Sequence, residues 1–189
     1  MNKGIISFLV MALMSQCQAR MNMCSKDTDG DLNCIDSLTI IYDPEICPGE
    51  VEKYVAQSAE KFLTYTDLPK IVERNDSVLN SFIKDISKAQ ISDQTYIDTD
   101  LAVFIHKHND IDTLVLGRYP NCSCELNSKH VCCPEAYLDI VEIVMKTDDE
   151  WRHRYINELK IMSKYYFSSE ELQRVPGDRV RRLITAYDF

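Results

Sequence analysis

Two continuous apolar runs near the middle of the chain constrain its fold most strongly. Residues 101–105 and 113–116 are rich in β-branched and aromatic side chains, and the polar segment 106–110 separates them. Two such runs on either side of a turn-forming segment are typical of a β-hairpin. Neither run alternates with polar residues, so both strands are expected to be buried on both faces, at the centre of a sheet. Residues 37–42 are predicted to form a further strand.

Helical periodicity accounts for most of the remaining sequence. Apolar side chains recur every three or four positions in several segments, which places them on one face of a helix. Thr147, with Glu150 three positions later, matches the capping box that begins a helix. The predicted helices are 50–63, 76–88, a segment that starts at Pro134, a segment capped by Thr147, and 178–187. The predicted fold class is α+β, with about five helices packed on a small sheet and disulfide bridges holding the fold.

The first 19 residues have the features of a secretory signal peptide. Lys3 supplies a positive charge, residues 5–14 are apolar, and Ala19 is a small residue at the expected cleavage site. The apolar segment is shorter than the roughly 20 residues that span a bilayer. We therefore expect residues 20–189 to form a single secreted α+β domain in the extracellular space. An alternative is a lipoprotein acylated at Cys17, but residues 14–16 match that processing pattern poorly.

The cysteines that follow the signal are predicted to form disulfides. Seven remain once Cys17 is removed with the signal, and cysteines of secreted proteins are mostly oxidised. The pairing cannot be read from the sequence. Because seven is odd, one thiol stays free or forms a disulfide-linked dimer, unless cleavage occurs at another position and Cys17 is retained. The disulfide candidates are Cys24, Cys34, Cys47, Cys122, Cys124, Cys132 and Cys133.

Charge and glycan acceptors bear on the partners. The formal net charge is −9, and it becomes −10 when Lys3 leaves with the signal. A chain this acidic repels phosphate backbones, so nucleic acid is not an expected partner. No segment after the signal is long and apolar enough to predict a membrane span. Asn75 and Asn121 each begin an Asn-x-Ser glycosylation acceptor.

The residue types suggest two metal sites. His106 and His108 would share one face of a strand and could chelate a metal with help from Cys122, Cys124 or His130. Asp27, Asp29 and Asp31 surround Gly30 as in an acidic calcium loop, although Leu32 stands where such a loop needs glycine. Exposed turn histidines and a solvated acidic turn are the simpler interpretations. No cofactor is predicted, since no glycine-rich phosphate loop occurs.

These features predict a secreted, disulfide-bridged glycoprotein that acts by binding another protein, such as an extracellular ligand, an effector or a receptor-trapping protein. An enzyme is the less favoured class, because no catalytic motif occurs in the sequence. The alternative is a secreted enzyme or metalloprotein with a site centred on His106 and His108. Arg174, Arg179, Arg181 and Arg182 form a basic group that offsets the acidic remainder internally or binds an acidic partner.

Overall fold

The computed structural model describes residues 35–44, 59–93, 99–117, 124–165 and 177–187. The strands are β1 (Ile35–Tyr42), β2 (Lys70–Glu73), β3 (Gln90–Ile91), β4 (Thr99–Lys107), β5 (Ile111–Gly117), β6 (Cys124–Leu126) and β7 (Lys129–Cys132). The helices are α1 (Ala59–Phe62), α2 (Asp76–Ile86), α3 (Pro134–Thr147), α4 (Asp149–Tyr165) and α5 (Gly177–Tyr187). All described residues belong to one compact unit, Ile35–Phe189.

The central hairpin is confirmed. Strands β4 and β5 pair antiparallel, with Val103 opposite Leu114, and the turn between them covers 108–110. Strand β1 pairs with the other side of β4, which leaves β4 and β5 inside the sheet. Within the described ranges the sheet has seven antiparallel strands in the order β2-β1-β4-β5-β6-β7-β3.

The expected fold class is wrong in two respects, although a broad α+β description is compatible with the structure. The sheet is large rather than small, and the described residues form four helices of 11 to 17 residues beside the single turn α1, where about five packed helices were expected. No two cysteines among the described residues lie at disulfide distance, and Cys124 and Cys133 are free. The helix expected over 50–63 lies mostly outside the described residues. Only α1, near its end, is described.

Both faces of the sheet are covered in its middle. On one face, Ile41, Ala102, Phe104 and Val115 form a buried cluster with Phe62 and Leu68 of the α1 region. Residues of the other face are fully or almost fully buried, namely Leu38, Ile40, Val103, Ile105, Leu114 and Leu116. Helices α2, α3 and α4 contribute the matching apolar side chains Leu79, Phe82, Tyr137, Val141, Val144 and Trp151. This double burial explains why the central strands lack alternation.

The junction between α3 and α4 differs from the capping box predicted from the sequence. Thr147 is the last residue of α3, and its hydroxyl donates to the carbonyl of Ile143. The side chain of Asp148 caps α4 instead, because its Oδ1 accepts from the backbone N–H of Trp151 at 2.9 Å. The cap is one residue later than predicted. None of the helices that the structure describes has the length and apolar character needed to cross a membrane.

Candidate functional site

The candidate site is a cleft at the sheet edge formed by β3. The cleft has a volume of about 540 Å³, within the range of roughly 300–1,000 Å³ found for ligand sites. It opens between the end of α2, strand β3 and the start of α3. Its lining includes Asp85, Lys88, Ile91, Asp93, Cys133 and Glu135.

The backbone of Ile91 is directed to the open side of β3. Strand β3 pairs antiparallel with β7, and the N–H of Ser92 donates to the carbonyl of His130 at 3.0 Å. Hydrogen-bonding groups alternate between the two sides of a strand, so the N–H and C=O of Ile91 point away from β7. Among the described residues no strand pairs with that side. The cleft therefore adjoins a sheet edge that can accept another strand.

The side chain of Ile91 is also presented to solvent. Ile91 is 89% exposed, more than the other exposed large apolar residues in the described part of the chain, of which Val72 is 53% exposed. Val72 lies on β2, the opposite edge strand of the sheet. An isolated exposed isoleucine is ordinary in a soluble protein. Its position beside a cleft and an unpaired edge makes Ile91 a candidate contact residue.

The first turn of α3 forms the opposite wall of the cleft. Cys133 occupies the N-cap position without a side-chain hydrogen bond to the helix, and Pro134 takes the first helical position, where its missing N–H costs nothing. Glu135 follows in the first turn, where the helix dipole favours a carboxylate. Its side chain is 40% exposed. Across the cleft, Lys88 pairs with Asp85 at 2.6 Å.

Arg179 of α5 joins the two helices that border the cleft. Its Nη1 lies 3.0 Å from Glu135 Oε2 and 3.6 Å from Asp85 Oδ2. Its Nη2 lies 2.5 Å from Asp139 Oδ1 and 3.6 Å from Glu142 Oε2. Asp85 and Glu135 therefore belong both to the cleft and to the surroundings of Arg179. Of the basic group identified in the sequence, Arg179 pairs with acidic residues of this chain, which is the first of the two alternatives.

Asp139 is the most buried carboxylate of this cluster, with a side chain 6% exposed. Burial raises its pKa, and the hydrogen bond and charge of Arg179 only partly oppose that effect. Within the described part of the chain, its Oδ2 has no hydrogen-bond partner. The cluster can therefore accept a further hydrogen bond or positive charge.

Two of the disulfide candidates are free thiols. Cys124 of β6 and Cys133 are both buried. The hydrogen bond to Cys124 and burial raise the pKa of the Cys133 thiol well above its usual value, so both the burial and the raised pKa protect this thiol from reaction. Cys132 is not one of the free thiols. Cys24, Cys34, Cys47 and Cys122 lie outside the described residues.

The structure separates the residues of the predicted histidine site. His106 lies in β4, and its Nε2 is 2.9 Å from the hydroxyl of Thr39. His108 is exposed in the following turn. The register from β4 to β6 places Cys124 on the opposite face of the sheet from His106. In the described ranges no group of three His, Cys, Asp or Glu side chains could hold a metal ion. Asp27, Asp29 and Asp31 lie outside those ranges.

Asn75 has a structural role beside its predicted glycosylation. It is exposed, and its Oδ1 caps α2 by accepting from the backbone N–H of Ser77 at 3.0 Å. Glycosylation at Asn75 stays a prediction, and Asn121 lies outside the described residues.

Sequence reasoning missed the cleft because β3 has only two residues and no periodic pattern. Comparison with known proteins finds no matching family model, curated protein or solved structure.

Proposed function

We propose that the chain is a secreted protein that binds an extended segment of another protein along the open edge of β3. The segment adds a strand beside Ile91 and places an apolar side chain on it. In this mode, backbone hydrogen bonds supply affinity and the flanking pockets supply specificity. The signal-like first 19 residues support the extracellular location.

The observation that carries this proposal is the combination found at Ile91. Its backbone groups face an edge with no paired strand in the described residues, its side chain is 89% exposed, and it borders a cleft of about 540 Å³. Edge strands of soluble proteins are usually protected by charge, proline or bulges. The exposed isoleucine at this position does not protect the edge. It provides an apolar side chain that a docking strand can cover.

The proposal is tested with short random peptides displayed on phage and selected on the full-length secreted protein. Recovered peptides are then measured against Ile91→Asp and against Val72→Asp, a matched change on the other edge strand. Covering an aliphatic side chain contributes about 1.5–3 kcal/mol, so we expect Ile91→Asp to lose about tenfold or more in affinity. Val72→Asp should bind like the wild type. Selection of no peptide, or equal binding by Ile91→Asp, would overturn the proposal.

A second pair of variants tests the backbone contact separately. Ile91→Ala and Ile91→Pro both remove the isoleucine side chain, but only proline removes the N–H. That N–H does not take part in the ladder with β7, so both variants should fold with similar thermal stability. If a strand docks here, Ile91→Pro should bind the selected peptides more weakly than Ile91→Ala. Equal affinity of the two variants would exclude a backbone hydrogen bond from Ile91.

A further inference from the structure

We propose that the docked segment carries an arginine, which binds Glu135 at the wall of the cleft. This inference rests on the proposed function, because it names the chemistry of the segment that docks beside Ile91.

Among the described residues, the charged groups joined by ion pairs around the cleft do not balance. Asp85, Glu135, Asp139 and Glu142 contribute four negative charges, while Arg179, Lys88 and Lys146 contribute three positive ones through the ion pairs described by the structure. Asp93 adds a further carboxylate to the cleft lining and is exposed. The excess is negative, in keeping with the net charge of −9. A basic side chain is the complement of this surface.

Arg179 shows which chemical group these carboxylates accept. Its guanidinium reaches two residues that line the cleft, Glu135 at 3.0 Å and Asp85 at 3.6 Å. Planar N–H donors on carboxylate oxygens form strong, directional hydrogen bonds. The cluster is nevertheless short of donors, because Asp139, with a side chain only 6% exposed, keeps an oxygen without a partner in the described residues.

Glu135 is the member of the cluster that an incoming group can reach. Its side chain is 40% exposed and lies on the first turn of α3, facing the cleft. Arg179 contacts Oε2, and a basic side chain from the partner would bind the remaining oxygen, Oε1. Such a cation would share the negative charge of Glu135 with Arg179.

The test uses the peptides selected on the full chain, with each arginine replaced in turn by citrulline. Citrulline keeps the shape of arginine and removes its charge. We expect one arginine at which replacement weakens binding about fivefold, the effect of an ion pair worth about 1 kcal/mol at a partly exposed site. Raising the salt concentration should weaken the arginine peptide more than the citrulline peptide.

Two variants of the protein test whether Glu135 is the residue that binds the arginine of the peptide. Glu135→Gln should remove the preference for arginine over citrulline, while Glu142→Gln should keep it. Both substitutions take one negative charge from the surroundings of Arg179, but only Glu135 lines the cleft. Glutamine retains an oxygen that accepts from Arg179, and unfolding curves of both variants check that the fold is intact.

The outcomes separate this inference from the proposed function. Peptides that depend on Ile91 but bind equally with arginine or citrulline would overturn the basic contact and leave strand docking standing. A preference for arginine that survives in Glu135→Gln would overturn the assignment to Glu135. Failure to select any peptide that depends on Ile91 would overturn both.

Discussion

Asp139 is the residue at which burial and charge oppose each other most directly. Burial raises its pKa more than Arg179 lowers it, so the carboxylate binds a proton more tightly in the folded chain than in the unfolded one. The folded state then holds more protons between the two pKa values, and the free energy of unfolding falls as the pH rises through that interval. Removing the titrating group should remove this dependence.

Asp139→Asn is therefore expected to flatten the pH dependence of stability. Relative to the wild type, the variant should gain stability as the pH rises from about 3.9, the ordinary pKa of aspartate, through the raised pKa of the folded state. Urea unfolding at a series of pH values measures the difference, and Asp36→Asn, at an exposed position of β1, serves as the control. Parallel curves for wild type and Asp139→Asn would contradict the expectation.

At the scale of single elements, α2 shows how one side chain combines a structural and a predicted chemical role. Asn75 precedes the helix, and its Oδ1 accepts from the backbone N–H of Ser77 at 3.0 Å and from the hydroxyl of Ser77 at 2.7 Å. The same two residues form the Asn-x-Ser acceptor. A glycan on the amide nitrogen would leave the capping oxygen in place, so the two roles are compatible.

Substitutions at Asn75 and Ser77 should separate these roles. Asn75→Ala removes the cap and should cost about 1 kcal/mol, whereas Asn75→Asp keeps a good cap. Both should abolish glycosylation at this position in protein secreted from eukaryotic cells, as should Ser77→Ala. Mass spectrometry with and without glycosidase reports the glycan, and chemical unfolding of deglycosylated protein reports the cap. Equal stability of Asn75→Ala and Asn75→Asp would show that the cap contributes nothing measurable.

The elements predicted correctly are those whose apolar pattern lies within one short segment of the sequence. The hairpin β4–β5 is visible in two apolar runs, and α2 in its apolar stripe. The hairpin β6–β7 was not predicted, because its short strands carry no continuous apolar run. Its turn residues Asn127 and Ser128 both have positive φ, at 48° and 62°, as the favoured two-residue hairpin turn requires. Asparagine adopts positive φ readily, but serine does not, so the residue types did not indicate this turn.

The candidate site was less accessible to prediction than the fold. Strand β3 has two residues, which is too short for any alternation to appear. Arg179 meets Glu135 and Asp139 across 44 and 40 positions of sequence, and only packing of α5 against the other helices brings them together. The sequence identified the arginines as a basic group, but it could not specify which acidic residues they contact.

At the scale of the whole molecule, secretion is the property on which the proposed function depends. Cleavage after Ala19 would change the net charge from −9 to −10 and leave Arg20 as the first residue. Expression of the full chain in eukaryotic cells should yield protein in the medium whose amino-terminal sequence begins at or near Arg20. Retention in the cell with Met1 still present would remove the extracellular setting, while the strand-docking experiment would remain valid for the purified protein.

A group of buried aromatic rings and tyrosine hydroxyls connects the helices to the sheet. Trp151 stacks on Tyr155 with ring centroids 4.7 Å apart and meets the edge of Tyr42 at 5.9 Å. The hydroxyl of Tyr155 donates to that of Tyr137 at 3.0 Å. These contacts join α3, α4 and β1, and the thiols Cys124 and Cys133 are buried in the same unit. Groups in such a core reach solvent mainly through large opening motions.

Thiol labelling should report that opening. Cys124 and Cys133 are expected to resist a maleimide in the native protein and to react once denaturant unfolds the chain, because both are buried and the pKa of the Cys133 thiol is raised. Peptide mass spectrometry assigns the labelled positions. The native labelling rate should increase with denaturant in proportion to the unfolded fraction. Rapid labelling of either thiol without denaturant, or recovery of either cysteine in a disulfide, would contradict the burial of free thiols between β6 and the start of α3.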